Sequence, residues 1–115
     1  MRRGNKRKFG RVRKQRQALE KGLMTALVTH GRITTTETKA KNLRIVADRL
    51  VTTAKKNTLA SRRQLHQTLG ERAVKKLIGE IAPTFASRSG GYTRLTRLGR
   101  RDSDGAPMIL VELTS

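Results

Sequence analysis

Apolar residues recur along this chain with two different periods, and the switches between them divide it into elements. From about Gln17 to His30 the spacing is helical. Leu19, Leu23 and Leu27 form an i, i+4, i+8 stripe, widened by Met24, Ala26 and Val28. Gly31 follows, a residue that accepts the left-handed conformation closing many helices. The run Arg32-Ile33-Thr34-Thr35-Thr36 is rich in β-branched side chains and reads as one strand. It leads straight into a helix start, with Thr34 as the cap and Glu37 three residues on as its capping-box partner. Over about Thr36 to Lys56, Ala40, Leu43, Val46, Ala47, Leu50, Val51 and Ala54 fall in one continuous arc. Lys41, Arg44, Asp48, Arg49, Lys55 and Lys56 fall on the other side. Ile45 breaks the pattern by projecting into the basic face, where it is either an exposed aliphatic, the reading the sequence favours, or a contact with a partner.

Two shorter helices are expected after Asn57. The first covers about Leu59 to Leu69, with Arg62 and Arg63 turned away from Leu65 and Leu69. The second, past Gly70, covers about Glu71 to Ala82 and buries Val74, Leu77, Ile78 and Ile81. Pro83 lacks the N–H that a helix interior needs, so the chain is expected to break or restart near it. Ser89-Gly90-Gly91 is a turn by composition. Tyr92 to Leu98 reads as a strand and Pro107 to Leu113 as another, largely apolar one. Gly99 to Gly105 forms the polar hairpin loop between them. The order α-β-α-α-α-β-β predicts an α+β fold of two layers, with helices on one face of a small three-stranded sheet.

Residues 1–16 share none of this periodicity. Arg2, Arg3, Lys6, Arg7, Lys8, Arg11, Arg13, Lys14 and Arg16 stand there without one acidic residue, and Phe9 is the only large hydrophobe apart from Met1. Like charges at this density repel and nothing present forms a core, so a disordered basic arm is expected over 1–16. A single globular domain is expected over 17–115. The whole chain has 115 residues and carries 27 Lys and Arg against 8 Asp and Glu, a formal net charge of +19. Without the arm, 18 basic residues still face 8 acidic ones, so the folded part is a basic surface as well. Such a charge repels itself in a compact chain unless a polyanion neutralises it. Nucleic acid is dense enough in charge to do so, and releases condensed counterions when basic side chains replace them.

The inventory argues against catalysis and cofactors. There is no cysteine, and His30 and His66 stand far apart, so a metal site is not expected. His30 suits the last turn of a helix, where its partial charge favours the dipole. Asp102-Ser103-Asp104-Gly105 lacks the further ligands of a calcium loop and reads as turn chemistry. No phosphate loop, nucleophile elbow or paired-carboxylate motif is present. No stretch reaches the roughly 20 apolar residues of a membrane span, and the N-terminus lacks the apolar core of a secretory signal. A cytoplasmic location is expected. An organellar one is the alternative, because basic N-termini free of acid resemble transit peptides.

For binding, the candidate contacts are the nine arm cations; Lys39, Lys41 and Arg44; Arg62 and Arg63; and Arg94, Arg97, Arg100 and Arg101, whose guanidinium groups pair with phosphate in a fixed fork. Tyr92, beside Gly90-Gly91, either stacks on an unpaired base or serves as a core tyrosine at a strand start. With three aromatic residues in all, a multi-base stacking platform is not expected. Composition does not separate RNA from DNA. A DNA-coating protein needs a groove-shaped element, and no helix-turn-helix pattern is present. A membrane-surface peptide needs a free amphipathic helix, and the best one here is required for the core.

The order of short segments adds a resemblance. Arg7-Lys8-Phe9-Gly10-Arg11, Gly31-Arg32-Ile33-Thr34-Thr35-Thr36, Thr38-Lys39-Ala40-Lys41-Asn42-Leu43-Arg44, Ala54-Lys55-Lys56 and Glu80-Ile81-Ala82-Pro83 occur in that order. Gly90-Gly91-Tyr92-Thr93-Arg94 and Ala106-Pro107-Met108 follow. Together they resemble the family of bacterial large-subunit ribosomal protein number seventeen over nearly the whole length. The resemblance implies a non-enzymatic ribosomal constituent whose partners are large-subunit ribosomal RNA and neighbouring ribosomal proteins. No membrane, cofactor or small-molecule substrate is implied.

Overall fold

The computed structural model describes residues 10–114. Helix α1 runs over Gly10–His30 and strand β1 over Arg32–Thr36. Three helices follow: α2 over Glu37–Lys56, α3 over Leu59–Thr68 and α4 over Glu71–Lys76. α4 continues through a π-helical turn at Leu77–Ile81 into a last helical turn, α5, at Ala82–Thr84. Strands β2 (Thr93–Arg100) and β3 (Pro107–Leu113) close the chain. With the bent run from Glu71 to Thr84 counted as one helix, the order is the expected α-β-α-α-α-β-β. The sheet is antiparallel in the order β1-β3-β2, so the apolar β3 sits in the middle.

One sheet face meets the helices. Ile109 and Val111 of β3 are buried, and Ile33, Leu95 and Leu113 pack against the same core. All seven residues of the predicted α2 arc are buried: Ala40, Leu43, Val46, Ala47, Leu50, Val51 and Ala54. Leu65, Leu69, Val74, Leu77 and Ile81 join them, and Ile45 stands 66% exposed, as its position on the helix predicted.

The differences from expectation have local causes. Helix α1 begins at Gly10, seven residues before the predicted start, so Arg11, Arg13, Lys14 and Arg16 lie on a helix. Arg, Lys and Gln are good helix formers, and helical propensity outweighs charge repulsion over these turns. Arg2, Arg3, Lys6, Arg7 and Lys8, with the disorder expected of them, lie outside the described residues. The α1 stripe is also displaced. Met24, Leu27 and Val28 are buried, but Leu19 is 43% exposed, because every described side chain from Arg13 to Leu19 stands clear of the core.

Thr34 is not the α2 cap. The strand takes it, Thr36 becomes the N-cap without a side-chain bond, and Glu37 pairs with Lys41 instead. The chain restarts at Pro83 as expected, in a short helical turn that carries the proline near its start and ends at Thr84. The preceding π turn shifts the register, so that Ala82 N–H donates to the Leu77 carbonyl five residues back, and Pro83 enters the final turn near its start. At α3 the sequence held a signal that was missed. Thr58 Oγ1 accepts from Ser61 N–H at 3.1 Å while Thr58 N–H donates to Ser61 Oγ at 2.8 Å, a capping box with serine in the usual Glu position.

Leu43 is 1% exposed at the centre of this packing. Leu43→Ala is expected to cost about 2–5 kcal/mol in urea unfolding, whereas Ile45→Ala should stay within about 0.5 kcal/mol of the parent. Equal effects from the two would contradict the assigned core.

Candidate nucleic-acid interface

The structure separates the predicted contacts into groups. α2 lies along β2, because Tyr92 N–H reaches Asp48 Oδ1 at 3.4 Å and Lys55 Nζ reaches the Tyr92 hydroxyl at 3.2 Å. At about 100° per residue, Glu37, Lys41, Arg44 and Asp48 share that flank. Nearer the start of α2, Glu37 meets Arg97 and Arg100 of β2. Lys41, Arg44, Arg97 and Arg100 thus line one seam between α2 and β2.

A bulge makes this grouping possible. Arg97 pairs with Ile109 but Gly99 pairs with Met108, which leaves Leu98 as an extra residue. Gly99 takes φ +98°, a left-handed value that glycine accepts without strain. In a regular strand Arg97 and Arg100 would point to opposite faces. With the extra residue both lie on the face that carries Ile109. A glycine inside a strand pattern is the sequence signal for this bulge, and β2 continues past the expected end at Leu98 to Arg100.

Glu37, read from the sequence only as a capping residue, is the acidic neighbour of these cations. Its carboxylate sits 3.1 Å from Lys41 Nζ, with its side chain 25% exposed against 69% for the lysine. The Lys41 hydrogen bond and charge, helped by Arg97 and Arg100, hold the Glu37 carboxyl below its usual range, so it stays ionised.

The other predicted residues lie elsewhere. Lys39 falls on the opposite flank of α2, the side on which Asn42 Nδ2 donates to Glu20 of α1 at 2.9 Å. Arg62 and Arg63 are exposed on α3, and Asn57 Oδ1 fixes Arg62 at 3.2 and 3.0 Å. Arg94 lies on the helix-free sheet face, 3.3 Å from Glu112. Arg101 is clamped by Asp104 at the hairpin tip, at 3.0 and 2.8 Å, and Arg100 Nη1 donates to the Gly105 carbonyl at 2.7 Å. Arg13, Lys14 and Arg16 project from the first turns of α1.

Tyr92 takes the core role. It is 1% exposed, its ring centroid lies 5.0 Å from that of Phe85, and its hydroxyl donates to the Arg88 carbonyl at 3.2 Å. A base has no access to this ring, so Tyr92 is corrected from a possible stacking residue to a packing one.

Among the described residues there are three ion pairs, and most of the cations carry no acidic partner. Nor do the described residues contain a group of three or more potential metal ligands or a helix long and apolar enough to cross a membrane.

Comparison with known proteins identifies relatives of the chain. The family model described as Ribosomal protein L17 matches residues 19–114. The chain is similar to the Large ribosomal subunit protein bL17 of Thermoanaerobacter sp. (strain X514), with 47% identity over 108 residues, 93% of this chain and 96% of the relative. Proteins of the same name from Moorella thermoacetica and Clostridium botulinum (strain Loch Maree / Type A3) are 45% identical over 108 residues, with the same shares.

The Arg101 clamp predicts a pH signature. Its hydrogen bonds, with that from Ala106 N–H, lower the Asp104 carboxyl from the ordinary 3.8 to about 2. A depressed folded value means that the contribution to hairpin stability is present above pH 3.8 and is lost as pH falls toward 2. The Asp104 side-chain carboxyl resonance should titrate near 2, and in Arg101→Ala it should move back toward 3.8. A midpoint already at the ordinary value in the parent would contradict the clamp.

Proposed function

The chain belongs to the ribosomal protein L17 family, and from that premise we propose that it binds folded large-subunit ribosomal RNA and holds it in place through its basic surfaces. Its place is as a structural constituent of the large ribosomal subunit, without enzymatic activity. Neighbouring large-subunit proteins are its other partners, and the cytoplasmic ribosome is its location. The observation that carries the RNA reading is the excess of outward-facing cations over three ion pairs on a small fold. Compacting such a chain without a polyanion works against its own repulsion.

The helical start of α1 supports the reading further. Arg13, Lys14 and Arg16 are exposed side chains on an ordered helical stretch, a rigid row of cations that suits a polyanionic partner. Phosphate contacts of this kind position a protein on RNA shape and need no aromatic platform. Residues 1–16 act in this reading as the binding arm and 17–115 as the globular body.

With about 6–10 phosphate contacts, affinity for large-subunit ribosomal RNA is expected to fall by around 10³ to 10⁵ between 50 and 200 mM salt. Deleting 1–16 should weaken binding and flatten the salt slope while the body still folds, because the described side chains lost with it are exposed. An unchanged affinity and slope would remove the arm from the interface. Equal affinity for duplex DNA and for structured RNA would favour a DNA-coating role instead.

A further inference from the structure

The seam between the start of α2 and the β2–β3 hairpin contains more than cations. Two adjoining hollows of about 180 and 160 Å³ open there and share Glu37, Arg97 and Ile109. Their floor is apolar, formed by Leu95 and Pro107 with the 4%-exposed Ile109. Their rim is charged, with Arg97 and Arg100 on one side and Lys41 and Glu37 on the other. A site for phosphate alone needs neither an apolar floor nor a carboxylate. An acidic group beside a phosphate raises the cost of binding it.

Resting on the RNA-binding reading above, we propose that this hollow receives one unstacked guanine nucleotide of the RNA, with the base on the apolar floor and its Watson–Crick edge on the Glu37 carboxylate. An unpaired base buries its flat face against apolar side chains, and a guanidinium plane such as that of Arg97 stacks on the exposed side. Arg100 and Lys41 then meet the phosphates that flank it.

The carboxylate selects the base. An ionised Glu37 only accepts hydrogen bonds, and among the described residues its side chain is hydrogen-bonded by Lys41 alone, which leaves acceptor sites free. Guanine alone presents two adjacent donors on that edge, N1–H and the N2 amino group, and a carboxylate accepts both at once. Adenine and cytosine each offer one amino donor beside a ring nitrogen whose lone pair would face the carboxylate. Uracil offers a single N–H between two carbonyl oxygens. The surrounding cations keep Glu37 ionised, so the preference persists at neutral pH.

The test is a titration of the full chain with 5′-GMP, 5′-IMP, 5′-UMP and inorganic phosphate, followed by backbone amide resonances. GMP should perturb Glu37, Gly99, Arg100 and Ile109 saturably and bind about tenfold tighter than UMP, within the range of a good bidentate base contact. IMP, which lacks the N2 amino group, should fall between them. Glu37→Gln should abolish the preference for GMP over UMP. Phosphate matching GMP at these amides would overturn the proposal, as would a GMP preference that survives in Glu37→Gln. Binding of the unaltered chain to large-subunit ribosomal RNA, measured alongside, separates the two failures. Intact RNA binding without a GMP preference sinks the pocket alone, whereas loss of RNA binding sinks the broader reading.

Discussion

Helix α2 buries a stripe of seven apolar side chains and packs against all three strands, α1, α3 and the π-turn end of the last helix. The remaining elements depend on that one stripe, because the domain holds a single core and a chain of this size has little more apolar surface to commit. The same periodicity that turns Leu43, Ala47 and Leu50 inward turns Lys41, Arg44 and Arg49 outward. Core formation and the placement of charge are therefore one event in this protein, and the basic surface has a fixed shape because the stripe fixes α2.

The hairpin obeys a second constraint. β3 is central and apolar, so β2 is an edge strand that supplies charge to both faces. Arg94 faces Glu112 on the open side, and the bulge at Leu98 turns Arg97 and Arg100 toward α2. Tyr92 anchors the entry to this strand. Buried against Phe85 and held by Lys55 and Arg88, it fixes the end of β2 next to Asp48, and the register of every arginine beyond it follows. The aromatic residue thus acts through packing, by setting the position of the guanidinium groups that follow it along β2.

Much of this was legible in the sequence, and the failures share a physical cause. The α2 arc, the apolar run of β3 and the element order follow from periodicity, which reports burial directly. What periodicity does not report is competition between neighbouring structures for the same residue. Thr34 suits a cap and a strand equally well, and pairing with Leu110 of β3 decided for the strand. Residues 10–16 suit repulsion as a coil or propensity as a helix, and propensity prevailed. Pro83 marks the restart of the last helix, but the π turn that leads into it lies outside the patterns a single sequence suggests. For the interface, the cations were identifiable by type. Their grouping was not, because Arg97 and Arg100 share a face only through a bulge, and Glu37 joins them only through the fold.

A surface this basic requires a polyanion to satisfy it, and the large subunit is the one proposed. Sedimentation of a tagged full-length copy from a lysate, with the large subunit followed before and after a high-salt wash, tests this most directly. Co-migration with the large subunit through the wash is the predicted result, since many phosphate contacts made together resist screening that would strip a few. Recovery of the protein at the top of the gradient, or with the chromosome, would contradict it.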